Sequence, residues 1–391
     1  MKNLIKKYIQ YILQLFLLLI RKKNIVILSS INSISYKTNT RYLFEYLSKN
    51  LQNFDIYYVT ECKDIKEYFI SKNLKYISKT NILKYIYISA SAKIVINSGD
   101  AYHNPFNITD FKNITKICTM HGNSPKTKLP KNTDPKYTGY QKFDYVCFNN
   151  EYLRDIIGID NFKLDESKIL TLGSPQCDQF YQKKYLHDRM NTKKISKLLN
   201  MNFPNDGKTV LYTPTWRPYE YPNPLTKLDN FSWDKFNVFL SKENIFFYYS
   251  FHSINTYPNN IYESSNIKFI DDFKYRLYDT NHFMCEVDCL VNDYSNTHSD
   301  FSILQKPQIY VMPDYFDYNK EQGFLESYDQ FIAGDVVKSL DELHQSISAA
   351  IYNPNYRKNY KKFESNLIDK YSSKNGNACH NYKIFIESNY D

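Results

Sequence analysis

After residue 23, short apolar runs rich in β-branched and aromatic residues recur along the chain. Each is followed by polar residues and then by a stretch with helical spacing. The runs are Ile25–Leu28, Ile56–Val59, Ile94–Ile96, Ile117–Met120, Tyr145–Phe148 and Ile169–Leu172, then Val210–Tyr212, Ile245–Tyr249, Ile267–Ile270, Cys289–Val291 and Gln308–Val311. Runs this short that stay apolar on successive residues suit strands buried on both faces of a parallel sheet. Helical candidates between them include Thr40–Leu51, Thr297–Leu304 and Leu340–Ile351. The alternation predicts α/β architecture. A polar stretch at Lys193–Lys208 separates two comparable sets of strands. The expected domains are therefore 24–200 and 201–391, with the C-terminal helix expected to pack back on the first.

Residues 1–23 break the pattern. An apolar run, Tyr8–Ile20, lies between Lys2, Lys6 and Lys7 on one side and Arg21, Lys22 and Lys23 on the other. It is shorter than the ~20 residues that span a bilayer. Arg-Lys-Lys stands where a signal peptide would carry small residues for cleavage. The expectation is a helix lying in the interface of an anionic membrane surface; the competing reading is a terminal helix packed on the body.

Composition narrows the class. With 391 residues, 42% hydrophobic and 23% charged, the chain has room for two domains and is neither disordered nor a polytopic membrane protein. Its 50 Lys+Arg against 41 Asp+Glu give +9; six of those charges fall in residues 1–23, leaving +3 on the body. A near-neutral body without a groove-reading module argues against nucleic acid as a partner. The seven cysteines form no Cys-x-x-Cys pair and fit a reducing compartment, and Cys285 with Cys289 lacks partners at zinc-site spacing.

Ligands of open α/β sheets bind at the carboxyl ends of strands, and four such ends carry pointed chemistry. In Cys118-Thr-Met-His121-Gly122-Asn-Ser-Pro-Lys126, the glycine lets backbone approach an anion, the lysine adds charge, and the histidine can accept a proton near neutral pH. In Leu211-Tyr-Thr-Pro-Thr215-Trp-Arg217, a planar guanidinium is suited to phosphate. Tyr248-Tyr-Ser-Phe-His252 presents a second histidine, for which a place in the core is an equal reading. In Val287–Phe301, a buried strand ends in Asp293-Tyr-Ser295-Asn296-Thr297 ahead of a helix. Free N–H groups and small hydroxyls at such a helix start would bind phosphate.

Together these motifs resemble the CDP-glycerol:poly(glycerophosphate) glycerophosphotransferase family, which makes teichoic acids and related capsule polymers. Asp293–Tyr310 is similar to that family's "DYSSxxfDfxxLxKPiify" block, His121-Gly122 with Lys126 to "WHGTPLK", and Leu211–Arg217 to "ILYAPTWR". Gly173-Ser174-Pro175 with Asp178 resembles "GxPRxD", Gly323-Phe324 with Gly334 resembles "RGFY…GP", and Asn39–Leu51 resembles "NxkyLfeyL". The departures are Met120 for Trp, Asn123-Ser124-Pro125 for Thr-Pro-Leu, Gln176 for Arg, and Ser253 after His252 where Pro is common.

The resemblance implies a GT-B-like fold, two Rossmann-type domains facing a cleft, peripheral on the cytoplasmic face of the membrane. The implied reaction moves a polyol phosphate, glycerol phosphate favoured, from a CDP-activated donor to a hydroxyl on a lipid-linked or growing polymer, releasing CMP. By the family's pattern His121 would be the general base and His252 would stabilise the donor pyrophosphate, with Asp293 the third catalytic residue, and Gly122, Lys126, Thr215, Arg217, Ser295, Asn296 and Thr297 would bind the substrate and its phosphates. No cofactor and no metal are required by this scheme. The alternatives are a GT-B glycosyltransferase using a nucleotide-activated sugar, and a catalytically silent subunit that binds the membrane surface.

Overall fold

The computed structural model describes residues 19–30, 34–99, 113–122, 125–126, 139–181, 207–217, 219, 223–251, 261–271, 274–373 and 375–390. His252 and most of the N-terminal apolar segment lie outside these. The described residues divide into two compact units. The first holds those up to His121, from Gly139 to Asp178, and from Asn377 onward; the second holds Gly122 to Lys126 and Gln179 to Gly376. The division falls at Asp178 rather than at residue 200, and the last helix belongs to the first unit.

The first unit is built on seven strands: β1 (Lys23–Ser29), β2 (Asp55–Val59), β3 (Tyr76–Ile77), β4 (Ala92–Asn97), β5 (Thr115–Cys118), β6 (Tyr145–Cys147) and β7 (Ile169–Leu170). Their spatial order is β3-β2-β1-β4-β5-β6-β7, and every pairing is parallel. The second unit repeats the scheme with β8 (Lys208–Tyr212), β9 (Ile245–Tyr249), β10 (Ile267–Phe269), β11 (Cys289–Asn292), β12 (Gln308–Val311) and β13 (Gly334–Val337), in the order β10-β9-β8-β11-β12-β13. Both are doubly wound sheets whose strand order reverses beside the first strand, between β1 and β4 and between β8 and β11. A crevice opens at such a reversal, outside the carboxyl ends of the strands.

Each of the eleven apolar runs overlaps a strand. β3, Tyr76–Ile77, and β13, which opens on Gly-Asp, lie outside those runs. Central strands are apolar throughout because helices cover both faces: Val26, Ile27 and Leu28 are all fully buried. Tyrosine does much of the core's packing, and the bulkiest fully buried side chains, among them Tyr36, Tyr58, Tyr212, Tyr249 and Tyr382, are tyrosines. Tyr36, Phe44, Tyr58 and Phe69 form one such nest, with ring centroids 4.9–6.3 Å apart. The tyrosine-rich composition therefore serves the interior more than a binding surface.

Two of the six N-terminal basic residues turn onto the body. Lys22 Nζ donates to the carbonyls of Ala90 and Ala92, 2.9 and 3.1 Å away, capping the C-terminal end of the helix Ile82–Ser91, and burial lowers its pKa. Lys23 Nζ donates to the Tyr87 hydroxyl at 2.7 Å. Among the described residues, no helix is long and apolar enough to cross a membrane.

Candidate functional site

In the second unit, β8 and β11 run side by side, and the turns leaving them are tied together by one carboxylate. Asp293, fully buried, follows β11 directly. It accepts the Thr215 backbone N–H on both oxygens, at 2.9 and 3.0 Å, and the Ser295 N–H at 3.0 Å. The fourth contact is the Arg217 guanidinium, through Nη1. Asp293 thus fixes the backbone of both turns.

Arg217 continues the network to a third strand end. Its Nε and Nη2 grip Asp314, just past β12, at 2.8 and 3.0 Å, and Nη1 also donates to the Thr215 carbonyl at 2.8 Å. Tyr219 and Tyr294 donate their hydroxyls to Asp314, and the guanidinium lies over the rings of Tyr294 and Tyr318. Burial alone would lower the Arg217 pKa, but Asp293 and Asp314 hold it well above the usual value. Burial raises Asp314, and the bidentate arginine more than reverses this, leaving it low. The expected phosphate-binding fork is therefore committed to two carboxylates, as a strut between three strand ends.

Two acids against one arginine leave a net −1 in this buried cluster, and Lys126 answers it. Its Nζ donates to the Thr215 hydroxyl at 2.8 Å, and its backbone is held by a bridge to Phe324 and by the Leu325 N–H on the Pro125 carbonyl. Burial and Arg217 lower the Lys126 pKa, Asp293 raises it, and the result is about 8. The ammonium stays charged near neutral pH and loses its charge as pH rises through that value.

Around Lys126 and Thr215 stand small hydroxyls and an amide. Thr213 Oγ1 is 3.0 Å from Thr297 Oγ1, which donates to Ser295 Oγ at 3.0 Å. The buried Oδ1 of Asn296 has no hydrogen-bond partner among the described residues. Gly122, at φ +138°, is needed here: a Cβ would stand 2.9 Å from Asn296 Nδ2. The helix start itself differs from the expectation. The helix has six residues, Thr297–Ser302, and its first N–H groups are taken: Thr297 by Ser295 Oγ, His298 by the Ser295 carbonyl, Ser299 by the Asn296 carbonyl. What the motif offers a ligand is side-chain hydroxyl and amide, with Lys126 as the cation. His298, buried and pushed down to about 3 by burial and by Lys126, stays neutral and stacks on Tyr328.

In the first unit, His121 is exposed at the turn after β5, and its Nδ1 is 3.1 Å from the Ser98 carbonyl at the end of β4. A carbonyl only accepts, so at this contact Nδ1 is the donor, and in the neutral ring that places the proton on Nδ1. Asp178 serves the fold instead, since its two oxygens accept the N–H groups of Ala378 and Cys379 at 2.9 and 2.8 Å and so cap the C-terminal helix. Among the described residues, no group of three His, Cys, Asp or Glu side chains is placed to hold a metal ion.

Sequence reasoning missed Asp314, Tyr219 and Thr213. Asp314 was findable as a carboxylate shortly past β12; the other two carried no signal of their own.

Fold and site define a protein of two doubly wound α/β units, with an exposed histidine at a strand end of one and a lysine beside hydroxyl side chains at the strand ends of the other. The chain belongs to the CDP-Glycerol:Poly(glycerophosphate) glycerophosphotransferase family, whose model matches residues 9–381. It is 26% identical over 380 residues to the teichoic acid glycerol-phosphate primase of Bacillus subtilis, covering 91% of this chain and 90% of that one. It is 24% identical over 359 residues to the teichoic acid poly(glycerol phosphate) polymerase of Staphylococcus epidermidis, covering 84% of this chain and 47% of that protein, so it spans about half the polymerase's length. Among solved structures, the wall teichoic acid polymerase TagF, in a variant soaked with CDPG, matches with a TM-score of 0.76 at 21% identity over 99% of this chain and 95% of that chain.

Proposed function

We propose that this protein transfers glycerol phosphate from CDP-glycerol to a hydroxyl of a lipid-linked or growing teichoic-acid-like or capsule polymer, releasing CMP. The observation that carries the reading is Lys126, held against Thr215 beside the Ser295–Thr297 hydroxyls, in a chain of this family. Phosphoryl transfer asks a protein mainly to position reactants and to stabilise charge around phosphorus. In the proposed step, Nε2 of His121 takes the acceptor hydroxyl's proton as its oxygen attacks the glycerol-bearing phosphorus. The bond to the CMP oxygen breaks, and its electron pair leaves with CMP. Lys126, Thr215, Ser295, Asn296 and Thr297 bind the donor's phosphates, Asp293 and Arg217 hold that constellation rigid, and Gly122 gives Asn296 its space. His252 enters this scheme on resemblance alone, as a partner of the pyrophosphate.

The test is to incubate the purified full chain below pH 8, where Lys126 keeps its charge, with CDP-glycerol, CDP-ribitol or a nucleotide sugar and a glycerol-phosphate-primed acceptor. The expected result is CMP release with acceptor growth from CDP-glycerol. Transfer from a nucleotide sugar alone would establish glycosyl transfer instead, and inertness toward every donor would leave a binding subunit.

The same reading puts the protein on the cytoplasmic face of the membrane, attached through its N-terminal segment. Leu19 and Leu83, 82% and 80% exposed, support an apolar contact there. Because Lys22 and Lys23 serve the first unit, the informative deletion is residues 1–18. It should move the protein from floated anionic vesicles to the soluble fraction, and unchanged flotation would place the attachment elsewhere.

A further inference from the structure

Asn39, the first residue of the block similar to "NxkyLfeyL", lies in the first turn of the helix Thr38–Asn50 and is 1% exposed. Its amide makes four hydrogen bonds, none local. Nδ2 donates to the carbonyls of Thr119 and Met120, each at 3.0 Å. Oδ1 accepts from Ser174 Oγ at 2.8 Å and from the Gln176 N–H at 3.0 Å. Two N–H groups and two lone pairs are the whole capacity of a primary amide, so the group is saturated. Aspartate would turn the donor side into an acceptor facing two carbonyl oxygens.

The two carbonyls it holds belong to the residues directly before His121. Met120 sits at φ +54°, the left-handed region that a non-glycine residue avoids, and Thr38, next to Asn39, sits at φ +61° although it is β-branched. Such conformations persist only where the surroundings over-determine them. The Thr119 N–H is already anchored on the Asn97 carbonyl of β4 at 2.8 Å. Thr119 Oγ1 also donates to the Met120 carbonyl, at 3.1 Å, and Asn39 adds the link that ties the Thr119 and Met120 carbonyls together, orienting the last two peptide groups before His121.

We propose that Asn39 is a positioning residue for His121: by clamping the Thr119 and Met120 carbonyls it holds the left-handed turn that seats the imidazole on the Ser98 carbonyl and fixes its proton on Nδ1. The inference rests on the reading of His121 as general base. Without the clamp, the Met120–His121 peptide rotates, the ring leaves Ser98, and Nε2 is no longer the defined basic nitrogen. Misplacement of a reacting group by about 1 Å costs on the order of 10²-fold in rate.

The test compares Asn39→Asp with wild type in steady-state kinetics and in long-range 15N NMR of the histidine rings, with His121 assigned through His121→Asn. We expect kcat to fall about 10²-fold with KM for CDP-glycerol within about twofold, since the donor's ligands sit in the other unit. The His121 resonances should pass from a single Nδ1-protonated tautomer to a mixture. A loss of kcat with an unchanged His121 spectrum, or kcat and KM changing together in step with lost folded protein, overturns the proposal. If Asn39→Asp does not fold, Ser174→Ala removes one bond of the same clamp: a severalfold lower kcat at constant KM supports it, and wild-type kcat overturns it. Should His121→Asn itself turn over normally, the base reading fails, while the NMR comparison still decides whether Asn39 seats the ring.

Discussion

His121→Ala is expected to lower kcat for transfer by about 10²–10⁴-fold, the usual contribution of a positioned general base, with little change in thermal stability. The two halves of that expectation come from different features. The ring is exposed, and substitutions of exposed side chains usually shift stability by no more than about 0.5 kcal/mol. Its Nδ1 is set against the Ser98 carbonyl. Donor binding should persist, because Lys126, Thr215 and the hydroxyl cluster belong to the second unit. Single-turnover rates, CDP-glycerol affinity and a melting curve on the same variant check all three. Turnover like wild type would remove His121 from the base role and move the search to groups outside the described residues, His252 first.

How much of this was legible in the sequence depends on whether one local segment carries the information. β1, β9 and β12 announce themselves as apolar runs because a parallel strand is buried on both faces whatever lies next to it. β13 does not, because its Gly334 is set by the neighbouring strand: a Cβ there would stand 1.8 Å from the Gln308 carbonyl oxygen. The motif at Asp293 was legible as a place but not as a mechanism. Arg217 and Asp293 look like ligand-facing groups until the tertiary structure shows Asp314, nearly a hundred residues on from Arg217, closing the guanidinium from its other side. Asn39 is the extreme case: its four partners lie 80 to 137 residues away, and no spacing rule connects them. Short-range patterns foretell elements and candidate chemistry; which polar groups are consumed in holding the site together is decided by contacts between distant strand ends.

Arg217→Ala is accordingly expected to damage the second unit more than the chemistry. It would strand Asp293 and Asp314, both nearly fully buried, without their cation. Breaking a buried pair by removing one partner costs about 3–5 kcal/mol, a large share of the ~5–15 kcal/mol that holds a typical domain folded. Lysine would not restore it, since a single ammonium cannot bond Asp314 bidentately and still reach Asp293 and the Thr215 carbonyl. The pH dependence gives the mechanism a sign. In wild type the Asp314 pKa is held below its unfolded value, so its contribution is present above the unfolded carboxylate range and is lost as pH falls through the lower, folded value. In Arg217→Ala, Asp314 keeps the hydroxyls of Tyr219 and Tyr294 but loses the guanidinium that offsets its burial, so its pKa rises and the variant gains relative to wild type as it protonates. The stability deficit measured by urea titration should be largest near pH 7 and shrink toward about pH 4. A deficit of the same size at both pH values would mean lost packing on Tyr294 and Tyr318 rather than an orphaned charge. An unchanged urea midpoint with weakened CDP-glycerol binding would return Arg217 to the donor's phosphates, and Lys126 would then no longer stand as the site's principal cation.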